Sequence, residues 1–125
     1  MGQEIVVVAN KDFPESNLTK QEIQAVFLDK KRFFGEKKVL VMNYEFNHPL
    51  RLCFEKNILQ KSERSLERYW RRAYYKGKRP PKIIKSLEML FLYFDNVTPS
   101  IGYVDLNSTV GKEVTVLYKI ECGDK

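Results

Sequence analysis

A chain of 125 residues, 43% apolar and 30% charged, is long enough to bury its own core and has the composition of one globular domain, 1–125. Its formal charge of +6 points towards anionic partners, and the lack of any apolar run near 18 residues excludes a membrane-spanning helix. With one histidine, two cysteines and no CxxC, a structural zinc site is excluded and no residue pattern calls for a cofactor.

Met1 to Glu4 lack the basic and long apolar regions of a signal peptide. Glu4 to Asn10 is then a continuous apolar, β-branched run, which predicts a strand covered on both faces, the usual state in a parallel sheet. Pro14 and its polar neighbours make a loop. Thr19 and Glu22 have capping-box spacing, with Leu18 and Ile23 placed as a hydrophobic staple. The helix they open carries Ile23, Val26 and Phe27 on one face and stops near Asp29. Phe33 to Glu36 reads as a turn with aromatic anchors under the sheet edge, and Val39 to Asn43 as a second strand.

A further helix starts at Pro49, since proline suits the first helical position and excludes αR from the residue before it. His48 is its expected N-cap, and Leu50, Phe54 and Ile58 recur at helical spacing. Ser62 caps the next helix, whose apolar stripe is Leu66, Tyr69, Trp70, Ala73 and Tyr74, with Gly77 as the C′ residue. Ile83-Ile84 forms a very short strand, and Ser86 caps a helix with Leu87, Leu90, Phe91 and Phe94 on one face. After a turn at Thr98 to Ser100, Ile101 to Val104 is a strand. Val114, Val116, Tyr118 and Ile120 alternate as one face of a half-exposed terminal strand. This order predicts an α/β three-layer sandwich with a mainly parallel central sheet and helices on both faces. Cys53 falls on the expected buried side of its helix, which favours a core thiol; a Cys53–Cys122 disulfide requires an oxidising compartment.

Charge is unevenly placed. From Lys61 to Lys85, ten lysines and arginines face only Glu63 and Glu67, so this segment is +8 and the rest of the chain −2. A solvated helix face is the commoner meaning of such a run. The alternative is a polyanion-binding patch of Arg64, Arg68, Arg71, Arg72, Lys76, Lys78 and Arg79. Tyr69, Trp70 and Tyr74 lie on the apolar stripe, so stacking on nucleic acid ranks low.

The stretch from Val39 to Phe54 is the candidate site. Strand, polar loop and helix N-terminus hold anions in α/β proteins, because the first N–H groups of a helix lack intrahelical partners. Asn47, His48, the Leu50 N–H and Arg51 form the expected anion cluster, with Tyr44 at its edge. The bland alternative is that Asn47 and His48 only cap the helix while Arg51 is solvated. No serine or carboxylate is spaced to work with His48, and Cys53 at i+5 does not share its face, so the chain reads as non-enzymatic.

Three stretches together carry a family likeness: Leu18 to Lys30, Val41 to Phe54, and Thr98 to Val104. With them in this order, and with Tyr69-Trp70 before a glycine-containing loop, the chain resembles the type 2 periplasmic substrate-binding proteins, most closely the phosphate-binding proteins of ABC transporters. The resemblance implies one lobe of that fold, a small anion such as phosphate as ligand, a membrane transporter or other protein as partner, and a periplasmic or secreted location. The family's Ser-Gly-Thr donors fall on His48, Pro49 and Leu50, and Arg51 matches an arginine many members carry just after them. The place of a second arginine falls near Tyr44. Family members close two lobes on the ligand, whereas 125 residues suffice for one. Two chains face to face would rebuild a cleft, although nothing in the sequence requires a homodimer.

Overall fold

The computed structural model describes residues 3–122. Its main sheet contains β1 (Gln3–Asn10), β4 (Leu40–Asn43), β5 (Lys82–Ile83), β6 (Ser100–Asp105) and β7 (Val114–Cys122). Their order is β5-β4-β6-β1-β7, with β2 (Phe33–Phe34) and β3 (Lys37–Lys38) forming a separate hairpin. β4 pairs in parallel with β5 and β6, while β1 pairs antiparallel with β6 and β7. Four strands therefore run one way and β1 alone opposes them. The sheet is mainly parallel as expected, but β1 is covered on both faces without being in a parallel pairing. Ile5 to Ala9 are fully buried because layers pack above and below.

The helices are α1 (Lys20–Phe27), α2 (Pro49–Phe54), α3 (Glu63–Tyr75) and α4 (Leu87–Asn96). The sheet pleat separates them, since successive side chains point to opposite faces. At Gly102 a Cβ would lie 2.8 Å from Leu90 Cδ1, which puts α4 directly over that face. The next residue, Tyr103, is stacked on Phe54 at 4.1 Å and 4° and lies 6.0 Å from Phe27, so α1 and α2 cover the other face. α3 lies outside α1: the Tyr69 hydroxyl donates to the Leu28 carbonyl at 2.6 Å.

The local signals behave as their chemistry requires. Thr19 and Glu22 form both halves of the capping box, and Leu18 and Ile23 are buried beside it. Ser62 and Ser86 accept from the amides of Ser65 and Met89, the third residues of their helices. Gly77, at φ 87°, occupies the left-handed position that ends α3, with the Lys78 N–H returning to the Ala73 carbonyl.

Several expectations need correction. The turn after α1 is the β2–β3 hairpin; Phe34 is buried against Phe13, but Phe33 is exposed. The helix begun at Pro49 stays α-helical only to Phe54 and continues as a π turn from Glu55 to Leu59, ended by left-handed Gln60. The wider turn brings Ile58 and Leu59 inside together and draws Glu55 in with them. Tyr74 is exposed at the end of the α3 stripe, with one face of its ring against the Arg79 guanidinium 4.1 Å away. In β7 the register against β1 slips between Val7 and Val8, which leaves Leu117 as an extra residue. That bulge reverses the alternation, so Leu117 and Ile120 are buried while Val116 is exposed. The cysteines are paired: Cys53 and Cys122 form a disulfide across 5.8 Å between Cα atoms, clamping α2 to the end of β7.

Two stability predictions follow from this packing. Gly102→Ala forces Leu90 to move inside a filled layer, and overpacking of this kind costs about 1–3 kcal/mol. Urea unfolding checks it, and adding Leu90→Val should restore part of the loss. Opening the Cys53–Cys122 bridge frees a loop of 69 residues, so the Cys53→Ser/Cys122→Ser variant should lose about 2–4 kcal/mol by the same assay.

Candidate functional site

β4, β5 and β6 all end at one edge of the sheet, at Asn43, Ile83 and Asp105. Carboxyl ends of parallel strands are where open α/β sheets take ligands, because the following loops and helix N-termini converge there. Here the chain leaves β4 through Tyr44 to Asn47 into α2, and leaves β5 through Ile84 to Ser86 into α4.

A buried polar knot fixes the β4–α2 corner. Asn43 Oδ1 accepts from both the Tyr44 N–H and the Tyr103 hydroxyl, and the Tyr44 hydroxyl donates to the Tyr103 carbonyl at 2.7 Å. Burial pushes both phenols above their usual pKa, with the Asp105 charge adding to the shift at Tyr44. Both rings therefore stay neutral and act as donors. Tyr44 also carries His48, whose imidazole stacks on the phenol ring at 4.4 Å.

His48 is the N-cap of α2, with Nδ1 accepting the Leu50 N–H at 3.1 Å. Asn47 is exposed, and its φ of 77° makes the turn into the helix, a conformation asparagine tolerates better than most residues. Arg51 is engaged inside the corner. Its Nε donates to Glu55 Oε2 at 2.7 Å and its Nη1 to the Tyr44 carbonyl at 2.9 Å. Both side chains are mostly buried, at 22% and 10% exposure, so the pair sits in a low-dielectric setting.

The expected five-residue cluster is therefore divided between two cavities. One, of about 450 Å³, is lined by Tyr44, Glu45, His48 and Leu50 together with Lys85, Ser86 and Asp105, Lys85 being paired with Glu45 at 3.0 Å. The other, of about 380 Å³, is lined by Arg51 with Phe46, Glu55, Glu63, Glu67 and Trp70. Asn47 lines neither. The second cavity holds three carboxylates against one guanidinium, and in the first Glu45 and Asp105 stand against Lys85. The first is bordered by two helix N-termini. In α4, Ser86 takes the Met89 and Leu90 amides, so the Leu87 and Glu88 N–H groups are those the helix leaves for an outside acceptor. Sequence reasoning capped α4 at Ser86 without bringing it to the site; only the β4–β5 parallel pairing places it beside His48.

The basic segment also divides. Lys78 donates to the Asp29 carbonyl at 3.1 Å, and Arg79 to the carbonyls of Tyr74 and Lys78, so both tie down the end of α3. Arg64, Arg68, Arg71, Arg72 and Lys76 are exposed. Among the described residues, no group of three or more His, Cys, Asp or Glu is placed to hold a metal ion.

The knot makes a graded prediction. Tyr103→Phe should cost about 1 kcal/mol, whereas Asn43→Ala, which strands a buried hydroxyl and a buried amide, should cost about 2–4 kcal/mol. Arg51→Ala should cost about 3–5 kcal/mol by leaving Glu55 unpaired, and adding Glu55→Leu should recover most of it. Denaturant midpoints of the four variants test this order.

No family model matches the chain, and no curated protein matches it in sequence. Solved structures do match its fold. A putative phosphate ABC transporter substrate-binding protein from Clostridium perfringens, with bound phosphate, superimposes with a TM-score of 0.73 at 16% identity, over 93% of this chain and 44% of that one. An ABC-type phosphate transport receptor from Vibrio cholerae gives 0.72 at 17% identity, over 93% and 46%. PstS from Borrelia burgdorferi gives 0.70 at 12% identity, over 93% and 47%. The chain thus spans about half the length of these structures, and it has the fold of that half of a phosphate-type substrate-binding protein.

Proposed function

We propose that this chain is a non-enzymatic, phosphate-type solute-binding lobe that takes a small oxyanion in the cavity between the N-termini of α2 and α4. The observation that carries this reading is convergence. Three strand ends and two helix N-termini meet at one cavity, in a fold shared with phosphate-binding neighbours. The Leu87 and Glu88 amides and Lys85 are the primary donors, and His48 closes the opposite wall beside Leu50. Tyr44 and Arg51 act by holding that wall, and Asn47 by making the turn that presents it. Asp105, on the cavity rim, accepts a hydrogen bond only from a ligand that still carries a proton, which favours hydrogenphosphate over sulfate.

The ligand is recognised from one side by this chain. A second lobe-sized surface, from another segment or another copy, supplies the remaining contacts, and a membrane transporter receives the loaded form. An extracytoplasmic location is supported by the fold neighbours and by the Cys53–Cys122 bridge, since structural disulfides persist in oxidising compartments.

One wall gives weak binding, with an expected Kd of about 1 mM for phosphate at low salt. Calorimetric titration with phosphate and sulfate measures it. Lys85→Glu, at an exposed position, should weaken phosphate binding about tenfold or more, and Arg71→Gln should leave it unchanged. Absence of saturable heat up to about 50 mM of either anion would remove the reading. Arg51→Ala is unsuitable as the probe, because it loosens the fold whether or not an anion binds.

A further inference from the structure

The inner face of α3 is set by Leu66 and Ala73, which are buried, and by Tyr69 and Trp70, which are half-buried. At 100° per residue, Arg64, Arg68, Arg71, Arg72 and Tyr75 fall on the opposite side. All five are exposed, and Tyr75 is 86% exposed. The two acids of the helix sit on its flank, where Glu63 and Glu67 line the cavity next to Trp70 and Glu67 stands one turn from Arg64 and Arg71. Among the described residues, none of the four arginines makes an ion pair. The stripe therefore runs about 16 Å along the helix and carries four arginines.

Arg64, Arg68 and Arg72 repeat at i, i+4, where like charges weaken a helix rather than support it. The cations that do hold α3 in place, Lys78 and Arg79, lie beyond its end. At the C-terminal end of the stripe, Tyr74 and Tyr75 are both exposed, their rings 6.2 Å apart. Tyrosine rings of this kind, apolar in body and polar at the tip, settle at the headgroup level of a bilayer.

We infer that the outer face of α3 docks on a membrane surface rich in anionic phospholipid, with the arginines over the headgroup phosphates and Tyr75 in the interface. Charge complementarity selects an anionic surface, and the disulfide selects lipid over nucleic acid, because the oxidising compartments that preserve it are not where nucleic acid resides. Shape agrees: single-strand binding uses a groove lined with stacking rings, whereas this face is a convex helix with its aromatics at one end. The inference is independent of the anion reading, which concerns the sheet edge.

Cosedimentation of the full chain with vesicles tests it, comparing phosphatidylcholine alone with phosphatidylcholine carrying about 30% phosphatidylglycerol. The wild type should partition onto the anionic vesicles only, and about 0.5 M salt should release it. Each arginine that reaches the surface contributes about fivefold, so R68Q/R71Q should bind about twentyfold more weakly. Y75S should show a smaller loss. Glutamine keeps helix propensity, and far-UV circular dichroism confirms that the variants are folded. Equal partition onto neutral vesicles, no partition at all, or retention of binding in R68Q/R71Q overturns the proposal. So does a single-stranded oligonucleotide that competes the protein off the vesicles through the same arginines at equal phosphate concentration, which makes the face a nucleic-acid surface instead.

Discussion

The β4–α2 corner depends on one buried oxygen. Asn43 Oδ1 receives the Tyr44 amide and the Tyr103 hydroxyl, and through them it joins the sheet to the loop that leaves it. Tyr44 then holds Tyr103 through its hydroxyl, Arg51 through its carbonyl and His48 through its ring. Each group in this chain of contacts is buried or half-buried, so an unmade bond would carry the full desolvation cost of a polar atom. A six-residue helix has little stability of its own, and α2 keeps its place because this knot and the Cys53–Cys122 bridge hold it from two directions.

The same knot decides which donors remain for a ligand. Proline removes one amide from the start of α2, and His48 takes another. Arg51 spends its guanidinium on Glu55 and the Tyr44 carbonyl. A corner that resembles an anion site by sequence is thus largely saturated by its own residues, and the open donors shift to α4 across the cavity. On the proposed reading, recognition at this edge rests on two helix starts brought together by the sheet, with α2 as a rigid wall and α4 offering the free amides.

The sequence revealed the parts whose physics is local. The Thr19–Glu22 box, the serine caps, Gly77 and the Pro49 start each act within four residues, and all form as expected. The three stretches that carried the family likeness lie in a fold that structural comparison also finds. What was hidden depends on pairing at long range. β1 has the composition of a parallel strand because burial on both faces selects the same residues whichever way its neighbours run. The β7 bulge is set by register against β1, and the π turn goes with the burial of Ile58 and Leu59. The disulfide joins residues 69 apart in sequence, where only the fold brings them within reach. The Arg51–Glu55 pair was hidden, since nothing in the spacing shows that Glu55 would be drawn inward to meet the guanidinium.

Charge follows a similar division between local and distant causes. A segment at +8 reads as one basic block, yet the structure sorts it by partner. Lys78 and Arg79 bond to backbone carbonyls and belong to the fold. Lys85 pairs with Glu45 at the rim of the cavity and belongs to the sheet edge. The remaining arginines lie on the outer face of α3 without ion pairs among the described residues, with Glu67 on the flank one turn from Arg64 and Arg71. The two surfaces differ in shape and charge: a small concave one at the strand ends, where Lys85 stands with Glu45 and Asp105, and an elongated convex one that carries the arginines. On the two proposals, a single soluble anion takes the first, where a concave wall excludes water around a small charge, and an extended array of charges takes the second, where fixed arginines about one helical turn apart lose little by being shared among many phosphates.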